Sequence, residues 1–488
     1  MAKKPSSNHT LSLFGAWALA FGCIIGWGSF VIPGTSFLPN AGPLGTAIAM
    51  LIACVGIALI AANYHYMMKK YPVNGGAFVF ALKSFGRAHG YACAWFLTLA
   101  YFSLVAQNST ALAIISRSLF SGFAEFGFSY TLAGYQIYFG EIVLAVTTLI
   151  ICAYAIARSK KLGFVLQGVF ATCSAVCFVV IAIAALTSPQ ASFANLNPAF
   201  SPDVSPLLGC LIVLALAPWA FIGFDAVSQT PEEFSFPTRK IGGVMIFAIV
   251  CGVFAYLTAS FVPAVTVPAN YPSWVEYIAA THELEGLDSF PVFGAAYSLM
   301  GPIGLLVLQI GALGAILSGV VGFYIATSYL LCAMGKAGFV PAQLSELHPK
   351  YDTPARALRI VCIASIALSL LGRNILSWIV DMSSIGAALS FLYTSAATYK
   401  NAHEEHLKPL IVSGVIGSAL SLVFLMLLVV PIPQLGTSLE MESLVFLAAW
   451  IALGLNFFVP EQPQRKKIDL GMHITAIDSP DNAIRQDD

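Results

Sequence analysis

The sequence predicts an all-α integral membrane protein with 12 transmembrane helices, the first and sixth of them discontinuous. Three observations carry this. Of 488 residues, 58% are hydrophobic and only 9% charged, with a mean hydropathy of +0.83; a soluble domain carries about 25% charged residues. Twelve apolar stretches approach or exceed the roughly 20 residues that span hydrocarbon. Two of those stretches carry glycine and proline at their centres, where unpaired backbone in lipid costs several kcal/mol unless it lines a buried cavity.

The first stretch, 11–38, holds Gly22-Cys23-Ile24-Ile25-Gly26-Trp27-Gly28 at its middle. Stretches 42–68, 90–118, 136–158 and 163–187 follow. The sixth, 206–230, is interrupted by Ala217-Pro218-Trp219-Ala220-Phe221-Ile222-Gly223-Phe224-Asp225. The rest are 241–263, 291–332, 357–372, 375–399, 409–430 and 440–459. The eighth is too long for one span, so its start near Phe290 reads as a short surface helix or a tilted extension. Met1 to Thr10 is polar and basic, and the apolar run after it far exceeds the roughly 7–15 residues of a signal-peptide core. The first stretch is therefore expected to stay in the mature protein. The charged tail, 461–488, lacks apolar periodicity and reads as mobile.

Charge placement sets the orientation. With both termini cytoplasmic, 21 of the 23 basic residues fall on the inner side, leaving Arg117 and Arg373 outside. The positive-inside rule thus predicts a multi-pass protein of the cell inner (plasma) membrane. Glu276, Glu283, Glu285 and Asp288, beside Tyr271, Trp274 and Tyr277, read as a solvated external loop with interfacial aromatics. The ten cysteines form no CxxC pair and read as small core residues, so neither a disulfide framework nor a metal site is expected.

An interrupted helix exposes N–H groups where its second half begins and C=O groups where its first half ends. The first suits a carboxylate, the second an ammonium or a cation. Two matched breaks point to the substrate site of a secondary transporter. Ile25, Gly26, Trp27 and Gly28 would offer amides, and Trp219, Ala220 and Phe221 carbonyls. The alternative is glycine-mediated helix packing.

Here the sequence resembles the amino acid–polyamine–organocation transporters. Gly22-Cys-Ile-Ile-Gly-Trp-Gly-Ser-Phe-Val-Ile-Pro-Gly34 is similar to that family's signature at its first unwound helix. Phe221-Ile-Gly-Phe-Asp225 with Pro231-Glu-Glu233 resembles its sixth-helix motif. Tyr71-Pro-Val-Asn-Gly-Gly-Ala77 resembles the loop after span two. Ala333-Met-Gly-Lys-Ala-Gly338 and His348-Pro-Lys-Tyr-Asp-Thr-Pro354 resemble the loop after span eight. Together these cover roughly residues 10–400. The resemblance implies a LeuT-like 5+5 inverted repeat, with 11–187 and 206–400 as the repeats and 409–460 as two added helices. It further implies alternating access and an amino acid or amine substrate, contacted by Cys23, Ile25–Gly28, Asn108, Trp219–Ile222 and Phe224.

Departures from the family pattern are specific. Trp27 stands where a small residue, often serine, is usual; its ring either narrows the pocket, stacks on the ligand or points away into packing. Tyr329 and Ala337 replace an arginine and an aspartate, so closure on the inner side needs other contacts. Asp225 and Asp381 are the acids within apolar cores, and intramembrane acids are functional hypotheses by default. Asp225 is read as a proton carrier or amine partner, or else as a structural carboxylate held by helix ends or a tyrosine; Asp381 is read as structural. Sodium coupling would use backbone carbonyls completed by Ser318. Some proton-coupled relatives place a lysine of span five at that position; Ser174 is aligned there. Asn108, in the polar run Gln107-Asn108-Ser109-Thr110, serves either side-chain selectivity or interhelical hydrogen bonding. His403-Glu-Glu-His406 lacks the spacing of a metalloprotease motif.

The expected function is permeation of a small neutral amino acid or related zwitterion, coupled to H+ or Na+ or by exchange. Cationic amino acids or polyamines are the nearest alternative, and a ligand-binding membrane sensor lies outside transport. No enzyme chemistry, cofactor or nucleic-acid partner is expected.

Overall fold

The computed structural model describes residues 10–119, 122–281, 283–284, 286–430, 432 and 439–458. The segment 1–9, Glu285 and the tail from 459 lie outside the described residues. Within them the chain is a multi-spanning helical bundle with one two-stranded hairpin.

The helices are α1 (Leu13–Ile24), α2 (Gly28–Ile32), α3 (Leu38–Lys70), α4 (Ala77–Phe85) and α5 (Arg87–Leu119). Strands β1 (Ser129–Leu132) and β2 (Tyr135–Tyr138) pair antiparallel. Then come α6 (Phe139–Arg158), α7 (Lys160–Thr187), α8 (Pro206–Ala215), α9 (Ala217–Phe221), α10 (Ile241–Val265), α11 (Trp274–Thr281) and α12 (Pro291–Met300). The last are α13 (Pro302–Lys336), α14 (Ala355–Ser369), α15 (Gly372–Glu404), α16 (Lys408–Val429) and α17 (Met441–Phe457). Eight helical runs are long and apolar enough to cross a membrane; α1, α8, α12 and α17 are apolar but shorter.

Local chemistry sets the boundaries. Ser12 caps α1, its hydroxyl accepting the Gly15 N–H at 3.1 Å. Ser159 alone separates α6 from α7, and its hydroxyl accepts the Leu162 N–H at 3.2 Å. The expected gap between the first two spans becomes a sharp bend at Gly42 (φ 69°), where a Cβ would lie 2.6 Å from Phe200 backbone. Helix α12 is the expected short piece before span eight, ended by Gly301.

α1 packs on α7, α10 and α13, and α5 packs on both α13 and α15. Large apolar side chains such as Val55, Ile151, Phe247 and Ile363 point out of the bundle, as a lipid-facing surface requires.

Three elements depart from expectation. Helix α4 follows the Tyr71–Gly76 loop, and the hairpin precedes α6. The aromatic loop is not simply solvated: Trp274 and Tyr277 are buried in α11, with the Trp274 indole N–H donating to Pro198 O at 3.0 Å. Aromatic burial there outweighs the exposure of Glu276, an acid in the first turn of α11.

Candidate substrate site at the two helix breaks

The first break is where the sequence places it. α1 ends at Ile24; Ile25 leaves helical geometry (φ −97°, ψ 85°) while its N–H still reaches Phe21 O at 2.9 Å. The Trp27 N–H donates to Asn108 Oδ1 at 3.1 Å, and Asn108 Nδ2 donates to Leu104 O at 2.8 Å. Asn108 thus makes the interhelical bond that was one of its two readings, holding the break with its carboxamide. The Trp27 ring is buried edge-on against Phe290, with centroids 5.4 Å apart. It packs into protein rather than across the break.

The second break lies at Ile222–Gly223. Trp219 O, expected to be free, accepts the Ile222 N–H at 3.3 Å, so the open backbone begins later. Gly223 takes φ 111°, and a Cβ there would sit 2.4 Å from Cys23 Cβ and 2.7 Å from the Cys23 carbonyl carbon. The two breaks therefore meet, with Cys23 against Gly223. The half-buried Trp219 ring lies over Gly28, where a Cβ would fall 2.3 Å from it. Ala220, Phe221 and Ile222 are buried nearby. Phe224 instead packs between Tyr64 and Phe391, at 5.5 and 5.3 Å.

Asp225 is fully buried two residues after Gly223. Its Oδ2 accepts the Tyr101 hydroxyl at 2.5 Å and its Oδ1 the Gly223 N–H at 3.0 Å. No cation pairs with it among the described residues. Tyr101 and Asn108 lie about two turns apart on α5, so one helix face serves both breaks. The sequence reading missed Tyr101; its signal was that spacing from Asn108.

The Ser318 region differs most. Gln167 Nε2 donates to both Ser318 Oγ (2.9 Å) and Ala18 O (3.1 Å). These are the kinds of oxygen a sodium ion would need. Ser174, aligned to this place, instead donates to Gly311 O at 2.9 Å; the span-five side chain that reaches Ser318 is Gln167, about two turns earlier on the same face of α7.

The basic end of the bundle holds a network of contacts at the level where the family's ion pair is missing. Lys160 Nζ lies 2.6 Å from both Glu233 Oε1 and Asp352 Oδ2, and the Tyr329 hydroxyl donates to Glu233 Oε1 at 2.9 Å. Leu11 N–H donates to Glu233 O at 2.9 Å, and Ser235 N–H to Leu11 O at 2.9 Å. Ala337 O accepts from Arg87 Nη1 at 3.1 Å. Glu405, of the His-Glu-Glu-His turn, is exposed, and what little desolvation it meets raises its pKa. The Lys70 ammonium and Tyr66 hydroxyl win against that and hold its carboxyl below the usual range. Among the described residues, Asp381 accepts a long bond from Ser443 at 3.5 Å.

The profile of a family described as amino acid permease matches residues 11–454. The chain belongs to that family. It is similar to the methylthioribose transporter of Bacillus subtilis (strain 168), 24% identical over 83% of this chain and 84% of the relative. It is also similar to a branched-chain amino acid permease of the same organism, 26% identical over 72% of each. Against the vacuolar cationic amino acid transporter 4 of Arabidopsis thaliana it is 24% identical over 78% of this chain, spanning 61% of that longer protein. The protein is a secondary-active transporter of the amino acid–polyamine–organocation superfamily, not an enzyme.

Proposed function

We propose that this permease carries a cationic amino acid or polyamine, by exchange or with protons, through the site where the two breaks meet. The observation that carries the reading is Asp225: a fully buried carboxylate at the second break without a cation among the described residues. A buried carboxyl is stabilised by protonation or by an incoming ammonium. Several similar proteins, from Arabidopsis thaliana, are named cationic amino acid transporters, which supports the same choice. The amides of Gly26 and Gly28 would receive the carboxylate and Asp225 the amine, with Trp219 over the bound solute and Cys23, Ile25, Trp27, Asn108, Ala220, Phe221, Ile222 and Phe224 shaping the pocket.

In this reading 11–187 and 206–400 are the inverted repeats of a 12-helix, LeuT-like protein, with 409–460 appended and both termini cytoplasmic in the inner (plasma) membrane. The occurrence of a break in the first helix of each repeat supports it. Sodium coupling through Ser318 is disfavoured, because the Gln167 amide occupies the oxygens it would use. The second reading is a neutral zwitterion, favoured by the apolar, aromatic lining and the branched-chain relative.

Counterflow in proteoliposomes tests the proposal. Full-length protein preloaded with arginine, lysine, putrescine or leucine is offered the labelled form of each. Exchange of arginine or putrescine that Asp225→Asn removes supports the cationic reading. Leucine exchange unaffected by Asp225→Asn establishes the neutral one, and no flux with any of them refutes both.

A further inference from the structure

A second charged group is left unpaired at the end of the bundle opposite the basic one. Arg117 and Arg373 are the two arginines there. Arg117 is fully engaged: its Nε bonds Glu141 Oε1 at 2.5 Å, lies 3.3 Å from Glu125 Oε1, and its Nη2 donates to Gln136 O at 3.3 Å. Glu141 Oε2 accepts the Tyr138 N–H at 3.2 Å, so that carboxylate is also satisfied. Arg373, near the N-terminus of α15, has no carboxylate within ion-pair distance among the described residues, and its Nη1 is buried without a hydrogen-bond partner. The Trp27 ring lies 6.0 Å from the guanidinium carbon.

The Tyr135 hydroxyl is buried and unpartnered too. Burial raises the pKa of this phenol, which keeps it a donor near neutral pH. Both donors line one cavity of about 20 Å³, bounded also by Thr110, Glu141 and Ser369. That volume holds a single water-sized occupant. The Thr110 and Ser369 hydroxyls spend their protons on Gln107 O and Ile366 O, so each offers lone pairs only. Two unpaired donors, one of them a full positive charge, converge on the space. Orphaned buried donors call for an acceptor, and an uncompensated buried cation calls for an anion.

We propose that this cavity, between α5, the β1–β2 hairpin, α6 and the start of α15, binds a small monovalent inorganic anion of chloride's size, held by Arg373 and Tyr135. Glu141 faces the same cavity, and its pairing with Arg117 removes the local repulsion. The guanidinium also sits over Trp27, so filling the site fixes a side chain that packs on the first break.

The test uses full-length protein in detergent, with thermal unfolding followed in sodium chloride, sodium acetate and sodium gluconate at equal ionic strength. Chloride is expected to raise the midpoint saturably, by at least about 1–2 °C, and acetate and gluconate to leave it unchanged. Tyr135→Phe, which removes one donor to a charged acceptor, is expected to raise the half-saturating chloride concentration about tenfold. Arg373→Gln is expected to abolish the chloride response; should that variant fail to fold, the Tyr135→Phe shift decides. A wild-type midpoint indifferent to chloride means the cavity holds water and overturns the proposal. So does a chloride response that survives in Arg373→Gln. An Arg373-dependent rise produced by an amino acid in gluconate, with none from chloride, overturns it in favour of a carboxylate-binding station.

Discussion

Replacing Gln167 gives the sharpest test of what drives transport. Its Nε2 donates at 2.9 Å to Ser318 Oγ and at 3.1 Å to Ala18 O, and the residue is fully buried between α1, α7 and α13. Ala18 O is only an acceptor, which fixes the amide orientation. Gly22 is required beside it, since a Cβ there would fall 2.0 Å from Ser318 Oγ and 2.4 Å from Gln167 Nε2. Gln167→Met keeps the volume and removes both donors. Hydrogen bonds inside membrane proteins average about 0.6 kcal/mol and reach about 1.7, so losing two costs about 1–3 kcal/mol. The variant should unfold several degrees below wild type. With the donor in place Ala18 O and Ser318 Oγ are both engaged by Gln167 Nε2, leaving the Gln167 carbonyl as the one unpartnered oxygen among these three groups, so wild-type uptake into proteoliposomes should be equal in sodium and choline buffers at fixed pH. A saturable activation of wild-type uptake by sodium would refute this reasoning, as would an unchanged melting temperature in Gln167→Met.

Other substitutions probe the neighbouring contacts. Tyr101→Phe strips one donor from the buried Asp225 carboxylate, a loss of about 1.5–3 kcal/mol; uptake driven by a pH gradient should fall about tenfold or more, read as initial rate. Gly223→Ala forces a side chain into positive φ against Cys23 at 2.4 Å. Strain and overpacking of about 1–3 kcal/mol each should lower thermal stability and abolish counterflow. Glu233→Gln weakens the Lys160 and Tyr329 contacts. Cys332, buried one turn along α13 from Tyr329 with Sγ 3.5 Å from Ser345 O, should then react faster with a membrane-impermeant thiol reagent in a background lacking the other cysteines.

The spans were legible because lipid imposes a length and an apolar composition on every crossing. The breaks were legible in kind because two apolar runs carry helix-weakening glycine or proline at matched central positions, which helix packing by glycine alone does not require. Their detail was not. Pro218 looks like the residue that ends the sixth helix, yet it sits in the first turn of α9, where proline is tolerated; the backbone opens at Ile222–Gly223. The Gln167 contact was hidden because Ser174, about two turns away, lies on the same face of α7, so the sequence alone does not say which of them reaches Ser318. Helix α11 was read as loop because it has only eight residues and lies in an acid-rich segment with Glu283, Glu285 and Asp288. Nothing local in the sequence announces that Arg373 is unpaired; that depends on where Glu141 turns.

The site and the closure at the basic end are joined by one short stretch of chain. Asp225 lies in a 3₁₀ segment, Phe224–Gln229, and Glu233 ends the next, Pro231–Glu233. Such turns have poorer hydrogen-bond geometry than an α-helix, so moving them sacrifices less. The stretch is also under-bonded: the Ser228 hydroxyl and both ends of the Gln229 amide are buried without a partner. Those orphaned groups raise the energy of this arrangement, while the Lys160–Glu233–Tyr329 contacts lower it. If Asp225 binds a proton or an ammonium as proposed, the change would act at one end of a connector whose other end carries the Glu233 contacts. On that proposal, differential binding at Asp225 would tip the balance of contacts at Glu233.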